Sequence, residues 1–190
     1  MPIVEWGDVY VTGDSLVDSQ HRGLFGMINA LHAAVAKGQS KEVVGGALDQ
    51  LERAVVDHFA TETRLMKATA YGELARHVIL HDSLATKAHE LIQNHRSGKS
   101  LVGLAALQSL GNWLTGHVVS EDKKMIEWAR VRGGTAVNPS GRFPTNAMSQ
   151  PATGIGGRGS ETRLQNALAS ARESVGRLPI ASGKLTGEKS

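Results

Sequence analysis

The 190-residue chain contains no cysteine, which excludes disulfides, thiolate zinc sites, iron–sulfur clusters and thiol catalysis together. Any metal chemistry must therefore use nitrogen and oxygen donors. No apolar run approaches the roughly 20 residues that a membrane-spanning helix needs, and the opening MPIVEWGDVYVTG lacks the basic-then-apolar order of a secretory signal. The expectation is a soluble cytoplasmic protein without a membrane partner. Alternating strand patterns are missing apart from a brief VYVTG. The main body also lacks a basic surface: residues 1–130 carry 13 Lys and Arg against 15 Asp and Glu, whereas 131–190 carry 8 against 3. A nucleic-acid partner is not expected, because the overall basicity belongs to the last third of the chain.

What is present is helical periodicity. The spacing predicts a first helix over 19–37, with Asp18 as N-cap, Leu24, Ile28, Leu31 and Val35 as its apolar stripe, and Gly38 as its stop. A second is predicted over 41–68 (Val44, Leu48, Leu51, Val55, Phe59, Met66), and a third over 73–96, ending at Gly98 (Leu74, Val78, Leu84, Ala88, Leu91). A fourth covers 101–130, using Leu104, Leu107, Leu110, Leu114, Val118 and Met125. Connections of a few residues make consecutive helices antiparallel neighbours, so the expected fold is all-α: an up-down-up-down antiparallel four-helix bundle with an N-terminal arm.

Residues 131–190 hold four of the five prolines and ten of the 22 glycines, a composition that buries no core and reads as a flexible basic tail. Within it, Ser160 as N-cap, Leu164, Leu168, Ala171 and Val175 on one face, and Gly176 as a stop predict a short helix over 161–175. Such a segment suits a protein partner that the basic tail would engage. SGKS at 97–100 lacks the strand context and upstream glycine of a phosphate loop, and GIGGRGS at 154–160 is linker.

Chemistry concentrates in four short stretches, one per helix: His21 in DSQHRGLF, His58 and Glu62 in HFATE, His77 and His81 in HVILH, and His117 and Asp122 in HVVSED. Residues four apart project from one side of a helix, so the two middle stretches each aim a pair of donors inward. A single histidine on such a face is ordinarily a satisfied core residue. Seven nitrogen and oxygen donors in one bundle core are ruinously costly unless a metal compensates them. Seven ligands exceed the needs of one ion, so two ions sharing the carboxylates follow. Bridging carboxylates plus an oxo or hydroxo bridge fill about eleven of the roughly twelve positions of two octahedral ions and leave one open. Such a site suits iron, with manganese or zinc as alternatives, and an open position on a redox-active pair is where dioxygen could bind. Oxygen-activating di-metal bundles use four Glu and two His. The His-rich set here favours oxygen binding over oxygenation. One spacing is untidy: five residues from His117 to Asp122 leave Asp122 about 140° off the same face, unless the helix is locally distorted.

With these motifs in place, residues 3–130, including Trp6, DSQH, HFATE, HVILH and WLTGHVVSEDK, resemble the hemerythrins, in particular the single-domain bacterial hemerythrins. The resemblance implies a four-helix bundle that binds dioxygen reversibly at a non-haem di-iron centre with an oxo or hydroxo bridge, as a carrier, store or sensor rather than an enzyme. By matched position it implies that His77, His81 and His117 hold one iron, that His21 and His58 hold the other beside the open site, and that Glu62 and Asp122 bridge. Thr63, Gly72 and Met125 depart from the usual pattern at positions that are not ligands. Phe59, Trp113, Val118 and Val119 are candidates for lining the oxygen pocket, while His32, His89 and His95 are expected at the surface or its boundary. The competing readings are a di-iron scavenger of peroxide or nitric oxide, a di-zinc hydrolase, and an adaptor whose tail reports the oxygen state.

Overall fold

The computed structural model describes residues 1–132, and they are helical with no strand among them. After a short 3-10 turn at Asp8–Tyr10 come α1 (Ser15–Ala36), α2 (Lys41–Ala68), α3 (Leu74–Ser97), α4 (Leu104–His117) and α5 (Lys123–Arg132). A π-helical turn over Val118–Asp122 joins α4 to α5 with helical backbone throughout, so the two form one continuous fourth rod. α1 packs on α2 and α4, and α2 on α3, giving the expected four-helix bundle. The tail helix expected over 161–175 lies outside the described residues.

The start of α1 differs from expectation. Asp14, four residues before Asp18, is the N-cap, accepting from Leu16 N at 3.0 Å and Val17 N at 2.9 Å. Asp18 is already inside the helix and faces backwards, accepting from Thr12 N and Thr12 Oγ1 at 2.8 Å each and from Gly13 N at 3.3 Å. A carboxylate that suits a cap by composition thus ties down the N-terminal arm instead. The VYVTG stretch forms part of that arm. Asn29 holds the arm's beginning, accepting from Ile3 N at 2.8 Å and donating to Val4 O at 2.7 Å. Gly111 makes room for it: a Cβ there would meet Val4 Cγ1 at 2.9 Å.

α2 and α3 follow the expected limits, with Ser40 capping α2 and Gly98 ending α3 in the left-handed conformation at φ 73°. In the second half of α3 the core positions are Ala85 and Ile92, and Ala88 and Leu91 are only half-buried. α4 begins three residues later than expected. Leu101 and Leu104 are exposed, and Val102 takes the core position.

The core is split. Leu24, Phe25, Ile28, Leu48, Leu51, Ile92, Leu107 and Leu114 fill one end, and Val17, Met66, Tyr71, Leu74, Val78, Met125 and Ile126 fill the other. Burying these side chains stabilises the bundle by roughly 1.5–3 kcal/mol each. On every helix, residues of both apolar layers bracket a polar one: Val17 and Leu24 flank His21, and Leu114 and Met125 flank His117 and Asp122.

Candidate metal centre

The polar layer consists of His21, His58, Glu62, His77, His81, His117 and Asp122, and the structure brings all seven together, each at most 5% exposed. The i,i+4 pairs of α2 and α3 need nothing beyond regular helix. Asp122 needs the π turn, in which the Lys123 N–H reaches Val118 O, five residues back. This is the local distortion that the spacing from His117 demanded, and it brings Asp122 Oδ1 to 3.0 Å from His117 Nε2.

The donor atoms form two groups that share both carboxylates: Glu62, His77, His81, His117 and Asp122 in one, and His21, His58, Glu62 and Asp122 in the other. Each carboxylate offers a different oxygen to each group. Glu62 Oε2 lies 3.2 Å from His77 Nε2 and 3.2 Å from His81 Nε2, while Glu62 Oε1 lies 3.7 Å from His58 Nε2. Asp122 Oδ1 lies 3.3 Å from His77 Nε2, while Oδ2 lies 3.1 Å from His21 Nε2. His81 Nε2 is 3.1 Å from the Nε2 atoms of both His77 and His117. Adjacent ligands on an octahedral ion with bonds of about 2.1 Å stand about 3.0 Å apart. The donors of the three-histidine group thus stand at the separations of an octahedron's edges.

The electrostatics agree. Burial and mutual repulsion would raise the Glu62 carboxyl, but His58 and the hydrogen bonds from His77 and His81 outweigh them and hold it far below the usual range. Burial likewise opposes ionisation of Asp122, and His117, His21 and His77 overcome it. Burial alone would depress His77; the Asp122 and Glu62 carboxylates beside it raise it to about 9 instead. Burial prevails at His81, which falls to about 4, and lowers His58. The layer therefore carries two buried anions and demands positive charge at its centre. His21 Nε2, His58 Nε2, Glu62 Oε1 and both Asp122 oxygens are buried without a hydrogen bond of acceptable geometry. A metal ion fits this donor set, because lone pairs that proteins otherwise satisfy are left facing one another.

Sequence reasoning did not identify the residues that orient the donors. The Thr61 hydroxyl donates to Asp57 O at 2.9 Å, so it accepts from Gln20 Nε2 at 3.1 Å and Arg64 Nη2 at 3.2 Å. That turns Gln20 Oε1 toward His58 Nδ1 at 3.4 Å, places the proton on Nδ1 and leaves Nε2 free to face the centre. Gln20 and Thr61 both lie within the DSQH and HFATE stretches, but their pairing is 41 residues apart and has no periodic signal.

The aromatic candidates fall on the three-histidine side. Phe59 stacks on His81 with centroids 3.7 Å apart, and Trp113 stacks on His117 at 4.5 Å. Trp6, from the arm, is the ring beside His21, at 6.4 Å. Val118 is buried in the apolar core, whereas Val119 is exposed and lines nothing internal. His32 and His89 are half-buried, as expected of boundary residues. His95 is not: it is buried at the far end of the bundle, where its Nε2 lies 3.1 Å from Lys41 O, because α3 closes there against the start of α2.

Comparison with known proteins agrees with this geometry. The family model described as hemerythrin HHE cation binding domain matches residues 12–129. A bacteriohemerythrin of Methylococcus capsulatus is 31% identical over 124 residues, 65% of this chain and 94% of that protein. One from Ralstonia nicotianae is 28% identical over 70% of this chain and 93% of its own length. The crystal structure of a wild-type hemerythrin superposes with a TM-score of 0.63 at 28% identity, covering 66% of this chain and 97% of that one. Among the described residues no helix is long and apolar enough to cross a membrane. With its split core, its buried histidine and carboxylate layer and a family match over most of its helical part, the chain belongs to the hemerythrin HHE cation-binding family.

Proposed function

We propose that this chain binds dioxygen reversibly at a non-haem di-iron centre. The iron ligands in this reading are His77, His81 and His117 on one side, His21 and His58 on the other, and Glu62 and Asp122 between them. The observation that carries it is the sharing of both carboxylates by two unequal donor groups, three histidines against two. His77, His81 and His117 with both carboxylates would hold one ion and His21 and His58 with the same carboxylates the other, so the ion with fewer protein donors would be the one that offers dioxygen a place, beside His21 and His58. A pair of ferrous ions supplies two electrons for reversible capture of dioxygen.

The protein's part is to fix the donors and keep water out. Gln20 sets the tautomer of His58, and Thr61 and Arg64 set the orientation of Gln20. Phe59 and Trp113 cover the three-histidine side face to face, and Trp6, Tyr10 and Phe25 pack edge to face beyond His21. A dry, histidine-rich site with only two anionic ligands stabilises highly oxidised iron poorly, which favours release of dioxygen over its use in oxidation. The function resides in residues 1–130 in this reading, and 131–190 form a separate basic segment that engages a protein partner.

Anaerobic reduction of the iron-loaded protein, followed by oxygen titration and degassing, tests the reading. The expected result is two irons per chain and an absorption band that appears with oxygen and disappears on degassing. Irreversible oxidation with turnover of peroxide or nitric oxide, or zinc as the resident metal, overturns it. A chain ending at residue 130 is expected to keep the oxygen spectrum; loss of iron from that truncated chain would overturn the division of roles.

A further inference from the structure

Two carboxylates stand side by side at the end of the π turn, Glu121 and Asp122, and only one of them enters the metal centre. In an unbroken α-helix the residue four after His117 lies about 40° from its face, and the residue five after it about 140° away. The α register would therefore aim Glu121 at the centre, as Glu62 is aimed four residues after His58. The π register aims Asp122. Leu114 and Met125, eleven residues apart, lie within about 20° of one face on an unbroken α-helix, so the burial of Met125, Ile126 and Ala129 does not decide which of the two acids faces the centre.

The contacts of Glu121 do specify it. Arg76 Nη2 donates to Glu121 Oε2, and Arg76 Nε donates to Glu73 Oε2 at 3.0 Å, so the guanidinium is held at two edges from α3. The Glu121 side chain is only 12% exposed beneath it. Arg76 immediately precedes His77 and Glu121 immediately precedes Asp122, and the donors of those two ligands are 3.3 Å apart. On the opposite side Lys123 Nζ donates to Val9 O at 3.0 Å, and within the turn Ser120 Oγ donates to Gly116 O at 2.8 Å.

We propose that Arg76 is a positioning residue that selects Asp122 over Glu121 as the shared carboxylate, by holding Glu121 outside the bundle and so placing the π turn before Asp122. The inference rests on the di-metal reading of the site, and the test separates the two. Wild type, R76L, E121Q and the double variant R76L/E121Q are compared by anaerobic titration with ferrous iron and with cobalt(II), and by circular dichroism of the metal-free chains. R130A, which breaks the exposed Arg130–Glu127 pair, is the control.

R76L is expected to fold, to bind the second ion about tenfold more weakly and to show an altered cobalt spectrum. In R76L/E121Q the competing carboxylate is gone, so both affinity and spectrum return toward wild type. E121Q and R130A stay near wild type throughout. A merely structural ion pair makes R76L and E121Q equally harmful and the double variant no better. That pattern overturns the proposal, as does an R76L protein with wild-type affinity and spectrum or one that fails to fold without metal. If wild type itself takes up fewer than two ions, the di-metal reading has failed instead.

Discussion

Replacing Glu62 with glutamine separates what the buried layer does for the metal from what it does for the fold. The carboxamide keeps the shape of a fully buried side chain, so no cavity opens; only charge and metal-donating power are lost. In the metal-free protein the cost falls on His77, which Asp122 and Glu62 together raise to about 9 against burial. A rise of that size from the ordinary value of about 6.5 corresponds to about 3 kcal/mol, and about half is expected to go with Glu62. Because a raised histidine stabilises below its unfolded value and loses that contribution as pH climbs through its folded one, the deficit should be full near pH 6 and vanish above pH 9. The larger effect appears with metal. Ligand at 1,000 times its Kd stabilises by about 4.1 kcal/mol, and a hundredfold weakening at the same concentration leaves about 1.4 kcal/mol. Urea denaturation with and without iron, at pH 6 and above pH 9, measures both quantities. A glutamine variant that keeps the wild-type increment on adding iron refutes the assignment of Glu62 as a shared ligand. A metal-free deficit that persists unchanged above pH 9 refutes the account of His77.

Away from the centre, Glu52 is buried between α2 and α3 with Oε1 unpaired, 3.5 Å from Arg96 through Oε2, and burial raises its carboxyl despite that arginine and His89. The folded state therefore holds its proton more tightly than the unfolded chain, and its contribution to stability declines as pH rises from the ordinary carboxylate range. Glu52→Gln should melt higher than wild type at pH 7 and match it at pH 4; a lower melting temperature at pH 7 would mean that the pairing with Arg96 outweighs desolvation. Gly111→Ala should favour α4 by about 0.5–1 kcal/mol through helix propensity but cost about 1–3 kcal/mol through the clash with Val4. The net effect is an arm more readily cut by protease, and an alanine variant that is more stable with its arm equally protected contradicts the packing described.

The parts of this molecule legible in sequence are those in which one helix decides the matter. His58 with Glu62 and His77 with His81 keep the four-residue spacing, and their convergence follows from burying the same stripe that carries Leu51, Met66, Leu74 and Val78. Asp14 and Asp18 are equally good caps by composition, and only the path of the arm, with Thr12 and Gly13 folded back on Asp18, assigns them different tasks. Leu104 and Leu91 are less buried than their stripes predict, because a stripe says which side of a helix is apolar but not where its neighbours stop covering it.

His117 and Asp122 form the intermediate case, and the physical reason is informative. Their spacing violates helical periodicity, which weighs against a shared site if local preference alone is counted, yet the same violation places the irregularity within a window of five residues. The structure resolves it with a π turn that local sequence does not favour and that contacts from three other places hold: Arg76 on α3, Val9 in the arm, and the apolar packing of Met125 and Ile126. A metal layer set between two apolar cores can carry such a turn because both cores independently fix the ends of the rod. The turn then lies in the one segment where moving a carboxylate by a fraction of a turn changes which of two adjacent acids serves the centre.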